Sequence, residues 1–330
     1  MRNEVFVGHF KSGKRHGMGI SRYQNGSSYK GEWNNDERTG RGVFQDKDQT
    51  RYIGMFFRGK LDGHGTSVSL DEKESYVGAF RMGKRHGQGR YVFRNGDVYE
   101  GSWLNDEMAG DGTYTFTQLR ERYSGKFQHR KRHGRGKYEF SDGSVFDGVW
   151  REGKMCGRGT FMFKNGDRYA GRFSENRMHG MGTYTWSRGS CYEGSFERSK
   201  MCGHGTMRYA FGHVYEGSWK DNLWHGHGVL TQRDGTIVKA NWEFGSRLKG
   251  TINFNPETIP ETYVGEFDET GLRTGQGDYT YSDGSRYSGV WVRGRRHGKG
   301  IFFDRHNRKV YEGDWVRLVF FFLFFFSLSM

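Results

Sequence analysis

Proline is almost absent from this chain, with two residues in 330. That excludes a collagen-like or proline-rich linker architecture. Cysteine is nearly as scarce. Three residues, Cys156, Cys191 and Cys202, are too few for a disulfide framework and point to a reducing compartment. The N-terminus, Met1-Arg-Asn-Glu-Val-Phe-Val-Gly, lacks the apolar core of a signal peptide. No stretch shows helical spacing of apolar residues over 11 positions. Acidic residues are the minority, 38 against 52 Lys and Arg, for a net charge of +14; such a balance favours acidic partners or solubility and says nothing about fold.

Glycine and aromatic residues are abundant instead. Gly is 53 of 330 residues, more than twice the usual ~7%. Aromatics reach 17%, too many for a disordered glycine-rich tract. The combination implies rings buried against bare backbone.

The organising stretch is Tyr99-Glu-Gly101-Ser-Trp103, followed by Gly110-Asp-Gly112-Thr-Tyr114-Thr-Phe116. Copies recur with leading residues Phe6, Tyr29, Tyr52, Tyr76, Tyr99, Tyr123, Phe146, Tyr169, Tyr192, Tyr215, Val238, Tyr263, Tyr287 and Tyr311. The spacing is 23 or 24 residues, and 25 across the degenerate copy at Val238. This gives thirteen units and a stub, and the regularity leaves no room for a second domain within 1–315. Within a unit the period is two, so Tyr, Gly and Trp share one strand face, as do the two glycines and two rings of the next strand. The expected core triplets include Tyr29, Gly31, Trp33; Tyr99, Gly101, Trp103; Tyr215, Gly217, Trp219; and Tyr287, Gly289, Trp291. Asn-Gly and Asp-Gly, as in Asn95-Gly96 and Asp142-Gly143, supply the positive φ of tight turns. A polar, basic turn lies at the other end of each strand. A lone hairpin is marginal in water, so the units must stack. The fold class expected is all-β: an elongated, single-sheet antiparallel solenoid of about thirteen stacked hairpins. At roughly 10 Å per repeat its length would be on the order of 120 Å before twist.

The pattern Tyr-x-Gly-x-Trp, then Gly-Lys-x-His-Gly-x-Gly, then Asn-Gly-Asp-x-Tyr resembles the MORN repeat family. Tyr76-Val-Gly-Ala-Phe-Arg-Met-Gly-Lys-Arg-His86-Gly-Gln-Gly89 and Tyr287-Ser-Gly-Val-Trp-Val-Arg-Gly-Arg-Arg-His297-Gly-Lys-Gly300 carry the resemblance, which spans residues 6–315. It implies a non-enzymatic scaffold or adaptor in a cytoskeletal, ciliary or flagellar, or cortical assembly, in the cytoplasm and close to membranes. Homodimers through open terminal strands are also implied.

Two segments break the pattern. Asn255-Pro-Glu-Thr-Ile-Pro260 holds both prolines and interrupts the degenerate unit 238–262; proline removes a ladder hydrogen bond, so a kink or small loop is expected. The Phe-rich tail 316–330 displaces a further repeat. At thirteen residues its apolar part, from Leu318, is short of the ~20 that span a bilayer. It reads as a gene-model artefact, a short natural tail or a shallow membrane anchor.

No motif carries catalysis, and no cofactor or metal is expected. His16, His86, His133, His179, His225 and His297 share one repeat position. Equivalent positions lie about 10 Å apart on a sheet, too far for one ion to be ligated at ~2 Å; a ring packed at the hairpin bend is the plainer account. The Gly-x-Gly pairs lie within strands and open no helix, which excludes the dinucleotide fingerprint. The functional signal is basic: Lys14, Arg15, Lys84, Arg85, Arg130, Lys131, Arg132, Arg293, Arg295 and Arg296 fall in one turn type. Stacking would set them along one edge, opposite an acidic edge of Asp46, Asp97, Asp142, Asp167, Asp234 and Asp283. Such a ridge attracts acidic proteins or anionic phospholipids, including phosphoinositides; a solvated turn that protects the sheet is the plain alternative. Nucleic acid is disfavoured, because the rings share the packing face with glycine rather than flanking the basic loops. A third reading, the regulatory region of a truncated lipid-kinase-like or methyltransferase-like enzyme, follows from the resemblance alone.

Overall fold

A computed structural model describes residues 4–254 and 261–316. The prolines at 256 and 260 and the tail from 317 lie outside the described residues, as do the kink and the anchor expected there. The described residues are built from 27 strands without a helix. They fall into two compact units, one ending at Arg177 and the other starting at Met178. In each unit every strand lies antiparallel to its neighbours in one sheet. The same repeat pattern runs on both sides of the division.

Leading strands such as Val98–Leu104 alternate with returning strands such as Glu107–Phe116. Each pairs with the strand before and after it. Within each unit the register aligns a glycine from strand after strand in a row, with Ala240 the one exception among the described residues. In the first unit it passes from Gly89 to Gly101, Gly112, Gly125, Gly136 and Gly148. In the second it passes from Gly205 to Gly217 and Gly228. Glycine weakens a strand unless a close approach requires it. Here the approach is a ring. A Cβ on Gly112 would lie 2.6 Å from two ring carbons of Tyr99.

The ring is fixed from both ends. Tyr99 is fully buried, and its hydroxyl donates to the Ser102 carbonyl at 2.9 Å. Its edge meets Trp103, with ring centroids 5.2 Å apart and planes at 84°. The Trp103 indole N–H donates to the Gly89 carbonyl of the preceding hairpin at 3.1 Å. The same pair of bonds recurs at Tyr29 and Trp33, at Tyr215 and Trp219, and at Tyr287 and Trp291. The expected core triplets are therefore the core, and the indole bond ties each hairpin to its predecessor. Edge-to-face rings add roughly 0.5–1.5 kcal/mol per pair beyond area burial.

Each returning strand carries a bulge. In one unit Gly148 pairs with Gly159 and Val149 with Cys156, leaving Gly157 and Arg158 unopposed. Gly157 sits there at φ 60°, where only glycine is unstrained. In the degenerate unit Ala240 pairs with Gly250, Asn241 with Lys249 and Trp242 with Arg247. One fewer residue bulges, and Leu248 needs no positive φ. Ala240 is tolerated at a glycine position because Val238 replaces the tyrosine ring that would cover it.

The turns differ from the sequence expectation in one respect. The two-residue hairpin turns with both central φ positive lie at the basic end, as at Asn105-Asp106 (φ 50° and 73°) and Glu152-Gly153 (φ 49° and 83°). The Asn-Gly loops are three-residue loops. The Phe93 carbonyl accepts from Gly96 N–H, and Phe93 N–H donates to the Asp97 carbonyl. Only Gly96 is at positive φ there, 86°; Asn95 instead accepts the Asp97 N–H at 3.0 Å through its side chain. Both loop classes suit the right-handed strand twist.

Two expectations follow. Gly112→Ala should destabilise the protein by about 3 kcal/mol, because the Cβ meets the Tyr99 ring, which is fully buried and held by its hydroxyl bond to the Ser102 carbonyl. Gly96→Ala, which meets open space and loses only φ freedom, should cost about 1 kcal/mol. Equal costs in urea unfolding would contradict the ring-on-glycine account. Burial pushes the phenols of Tyr29, Tyr76 and Tyr123 up to about 12. Up to pH about 10 both states keep these protons and stability is unaffected. Above it the unfolded chain ionises first, so stability falls as pH rises from about 10 towards 12. Absorbance at 295 nm should therefore show a late tyrosinate phase coincident with loss of far-UV strand signal.

Candidate functional site

The basic turns are tied to one another by backbone and side chains. Asp106 N–H donates to the Arg85 carbonyl at 3.0 Å, and the Asp106 carboxylate accepts the Arg85 N–H at 2.9 Å. Asp36 and Arg15 repeat this arrangement. Asn176 and Asn222 do the same for Met155 and Met201. A polar residue at the second turn position is thus a clamp on the preceding hairpin.

The structure divides the ten predicted basic residues into two groups. Arg15, Arg85, Arg132 and Arg296 turn onto the ring face. Their guanidinium carbons lie 4.1–4.4 Å from the ring centroids of Trp33, Trp103, Trp150 and Trp315. Arg85 also donates to the Asp106 carbonyl at 3.2 Å, and Arg132 to the Gly153 carbonyl at 2.9 Å. Burial lowers the Arg132 pKa from its usual value, yet the group stays cationic. Arg38, Arg247 and Arg273 stand at the same position and make the same bond to the next turn. In other units Met155, Met178 and Met201 fill this place, as a flexible apolar side chain can.

The second group faces solvent. Lys14, Lys84, Arg130, Lys131, Arg293 and Arg295 are exposed. Lys131 pairs with Glu152 at 2.7 Å, and Arg130 lies 3.8 Å from Glu107. Lys14, Lys84, Arg293 and Arg295 form no salt bridge among the described residues, although Lys14 acts on the Asp36 carboxyl and Arg293 on that of Asp268 through space. Sequence spacing placed both groups in one turn. It did not separate them because strand alternation sends adjacent residues, such as Lys84 and Arg85, to opposite faces.

The opposite loops use their carboxylates internally. Asp142, Asp234 and Asp283 accept the N–H groups of Ser144, Thr236 and Ser285; these bonds hold Asp142 and Asp234 below their usual pKa, and for Asp283 the Ser285 hydroxyl does so first, with the N–H second. Asp97 is buried and accepts from Thr117 N–H and the Tyr114 hydroxyl. Beside these loops runs a stair of rings, Tyr91, Phe93, Tyr114, Phe116, Tyr138 and Phe140, with successive centroids 4.5–5.9 Å apart. Of the histidines at the bulge, His16, His86, His133 and His225 are half-buried with enclosed Nδ1 atoms, whereas His179 and His297 are exposed and do not pack as expected. Among the described residues no three His, Cys, Asp or Glu side chains converge as metal ligands do.

The geometry defines a hairpin-repeat protein whose recurring residues hold one repeat to the next. The MORN repeat model matches residues 6–28, 29–51, 52–69, 76–98, 99–118, 123–145, 146–168, 169–191, 192–213, 215–237, 263–286 and 287–305. The chain therefore belongs to the MORN repeat family. The unit at Val238 is passed over, in keeping with its lost ring and shortened bulge. Among curated proteins the chain is 37% identical over 51 residues to MORN repeat-containing protein 3 of Xenopus laevis, across 15% of this chain and 21% of that protein. It thus spans about a fifth of that relative's length. Among solved structures it is similar to the SAS-4 (dCPAP) TCP domain of Drosophila melanogaster, solved with a proline-rich motif of Ana2 (dSTIL). That likeness has 13% identity, 55% of this chain, 90% of that chain and a TM-score of 0.29. The TCP10 domain of Danio rerio CPAP matches at 9% identity, 77% and 96% coverage and a TM-score of 0.31.

Replacing Arg85 should separate packing from charge. Arg85→Ala should cost about 2 kcal/mol through lost ring contact and an unbonded turn carbonyl. Arg85→Met should cost less than about 1.5 kcal/mol, and Lys84→Ala about 0.5 kcal/mol or less. Urea unfolding of the three variants checks the order; an Arg85→Ala protein as stable as Lys84→Ala would refute the packing role.

Proposed function

We propose that this MORN repeat protein is a non-catalytic scaffold or adaptor that brings partner proteins of a cytoskeletal, ciliary or cortical assembly together. One observation carries the reading. The rings, glycines and inward arginines are committed to holding hairpin to hairpin, while each turn offers an exposed, variable side chain at a regular interval. Such a design supplies many equivalent attachment points rather than one reactive centre. Proximity labelling of the tagged full-length protein, with its localisation, tests the reading. Enrichment of cytoskeletal or ciliary neighbours at a discrete structure is the expected result, and a diffuse signal without enriched neighbours would overturn it.

A second reading is favoured by Lys14, Lys84, Arg293 and Arg295, which are exposed and form no salt bridge on the turn edge among the described residues. Such cations attract anionic headgroups at about 1 kcal/mol each. If the chain is a peripheral phospholipid binder, sedimentation with phosphatidylserine or phosphoinositide vesicles should be salt-sensitive. Replacing all four by Glu should then abolish it. Unchanged sedimentation of that variant removes the reading.

A further inference from the structure

The face opposite the rings carries a feature that the repeat does not demand. Strand alternation turns Lys126, Arg135, Arg158 and Arg172 away from the ring face, because their neighbours Phe127, Gly136, Gly159 and Phe173 lie on it. All four belong to the unit ending at Arg177. They come from the strands Glu121–Gln128, Lys131–Glu139, Lys154–Met162 and Arg168–Ser174. Each stands one residue from the glycine row, so they fall in a line across the strands, with Val149 of the strand Val145–Arg151 between Arg135 and the bulge residue Arg158. Arg158 is paired directly with Arg172.

Like charges directly opposite in a sheet destabilise it. The other units show what the fold prefers at this pair of positions. Where both partners are charged the signs are opposite: Asp111 with Lys126, Lys249 with Glu266, and Lys299 with Asp314. Elsewhere at least one partner is uncharged, as in Gln88 with Ser102 and His204 with Ser218. Among pairs at this position in the described residues the Arg158–Arg172 pair stands alone; other like-charged partners, Lys11 with Lys14, Arg81 with Lys84 and Arg151 with Lys154, close the basic turns at the sheet edge. Both arginines are exposed, and neither they nor Arg135 has an ionic partner among the described residues. Folding gains nothing from the pair, so an external anion is the economical explanation.

We infer that this row binds an acidic, extended segment of a partner protein, with Arg158 and Arg172 gripping one carboxylate or phosphate group between them. Guanidinium forks suit bidentate recognition of such groups. From Lys126 to Arg172 the row spans four strand spacings, about 19 Å, which is the reach of about six extended residues. Side chains alternate along such a segment, so every second residue would meet the row. The neighbouring line of Ser124, Lys137, Asp147, Thr160 and Ala170 is mostly short, which leaves room for a backbone beside the arginines. It offers no ring to enter a headgroup layer, and the ring stair that could stack bases lies on the other face. This site is separate from the turn edge considered above.

The test is fluorescence anisotropy with the full chain and a fluorescein-labelled peptide of about eight alternating Glu and Ser residues, a length slightly beyond the row's reach. The parent should bind, more weakly as salt rises. Arg158→Ser/Arg172→Ser should lower affinity by about tenfold or more and leave the thermal midpoint unchanged or raised, since it relieves the like-charge pair. Lys14→Ser/Lys84→Ser, which removes the same charge from the turn edge, should change affinity less than about twofold. Equal losses in the two variants would reduce the effect to net charge and overturn the assignment. So would unaltered binding by the arginine variant, a lowered thermal midpoint, or a parent that ignores the peptide while binding anionic vesicles or a single-stranded oligonucleotide.

Discussion

The contact between an aromatic ring and bare backbone governs this structure. A tyrosine ring can lie over two neighbouring strands only if neither has a Cβ beneath it, as Gly101 and Gly112 allow for Tyr99. Strands stand about 4.8 Å apart, so the ring reaches the returning strand and no further. The next hairpin is joined through Trp103, whose indole bonds back to Gly89. Ring, glycine pair and indole thus form a unit that cannot bury itself alone and is completed by its neighbours. The loss of one member is accommodated locally: where Val238 stands for tyrosine, Ala240 and a shorter bulge accompany it, and the pairing continues.

The arginines extend the same logic to the turn edge. A guanidinium lying flat on an indole keeps its charge while its plane covers apolar area. Its remaining N–H groups bond the carbonyl of the following turn, which has no strand partner. Methionine can take the place because part of the arginine's work there is packing. The turn carboxylates of Asp36 and Asp106 serve as backbone acceptors in the same way. Charge that looks like a ligand site in the sequence is, at these positions, internal structure. Charge that looks like ordinary solvated surface, as at Arg158 and Arg172, is where the sheet carries an unrelieved repulsion.

Much of the fold was legible because the constraint is local and repeated. Tyr-x-Gly-x-Trp states its own strand period, and fourteen leading residues at near-constant spacing state the stacking. The degenerate unit was visible through its missing tyrosine. The assignment of turn types was less complete. Asn-Gly suggests a two-residue turn, but the flanking Phe93 and Asp97 close a three-residue loop, and the two-residue turns use Asn-Asp, Arg-Ser or Glu-Gly pairs at the basic end. Those pairs reach positive φ because the hairpin twist rewards it, a preference weaker in composition than that of Asn-Gly.

By itself the sequence determined the all-strand class, the repeat, the ring-and-glycine core and membership of the MORN family. Each rests on short-range alternation and on the steric difference between glycine and any other residue. Only the tertiary structure decided which face each basic residue takes, which ones stack on tryptophan, and which ones meet a like charge. Those outcomes depend on inter-strand register and on the extra bulged residues, which change which residues lie opposite one another beyond them. Residues distant in the chain, such as Arg158 and Arg172, become neighbours only once that register is set.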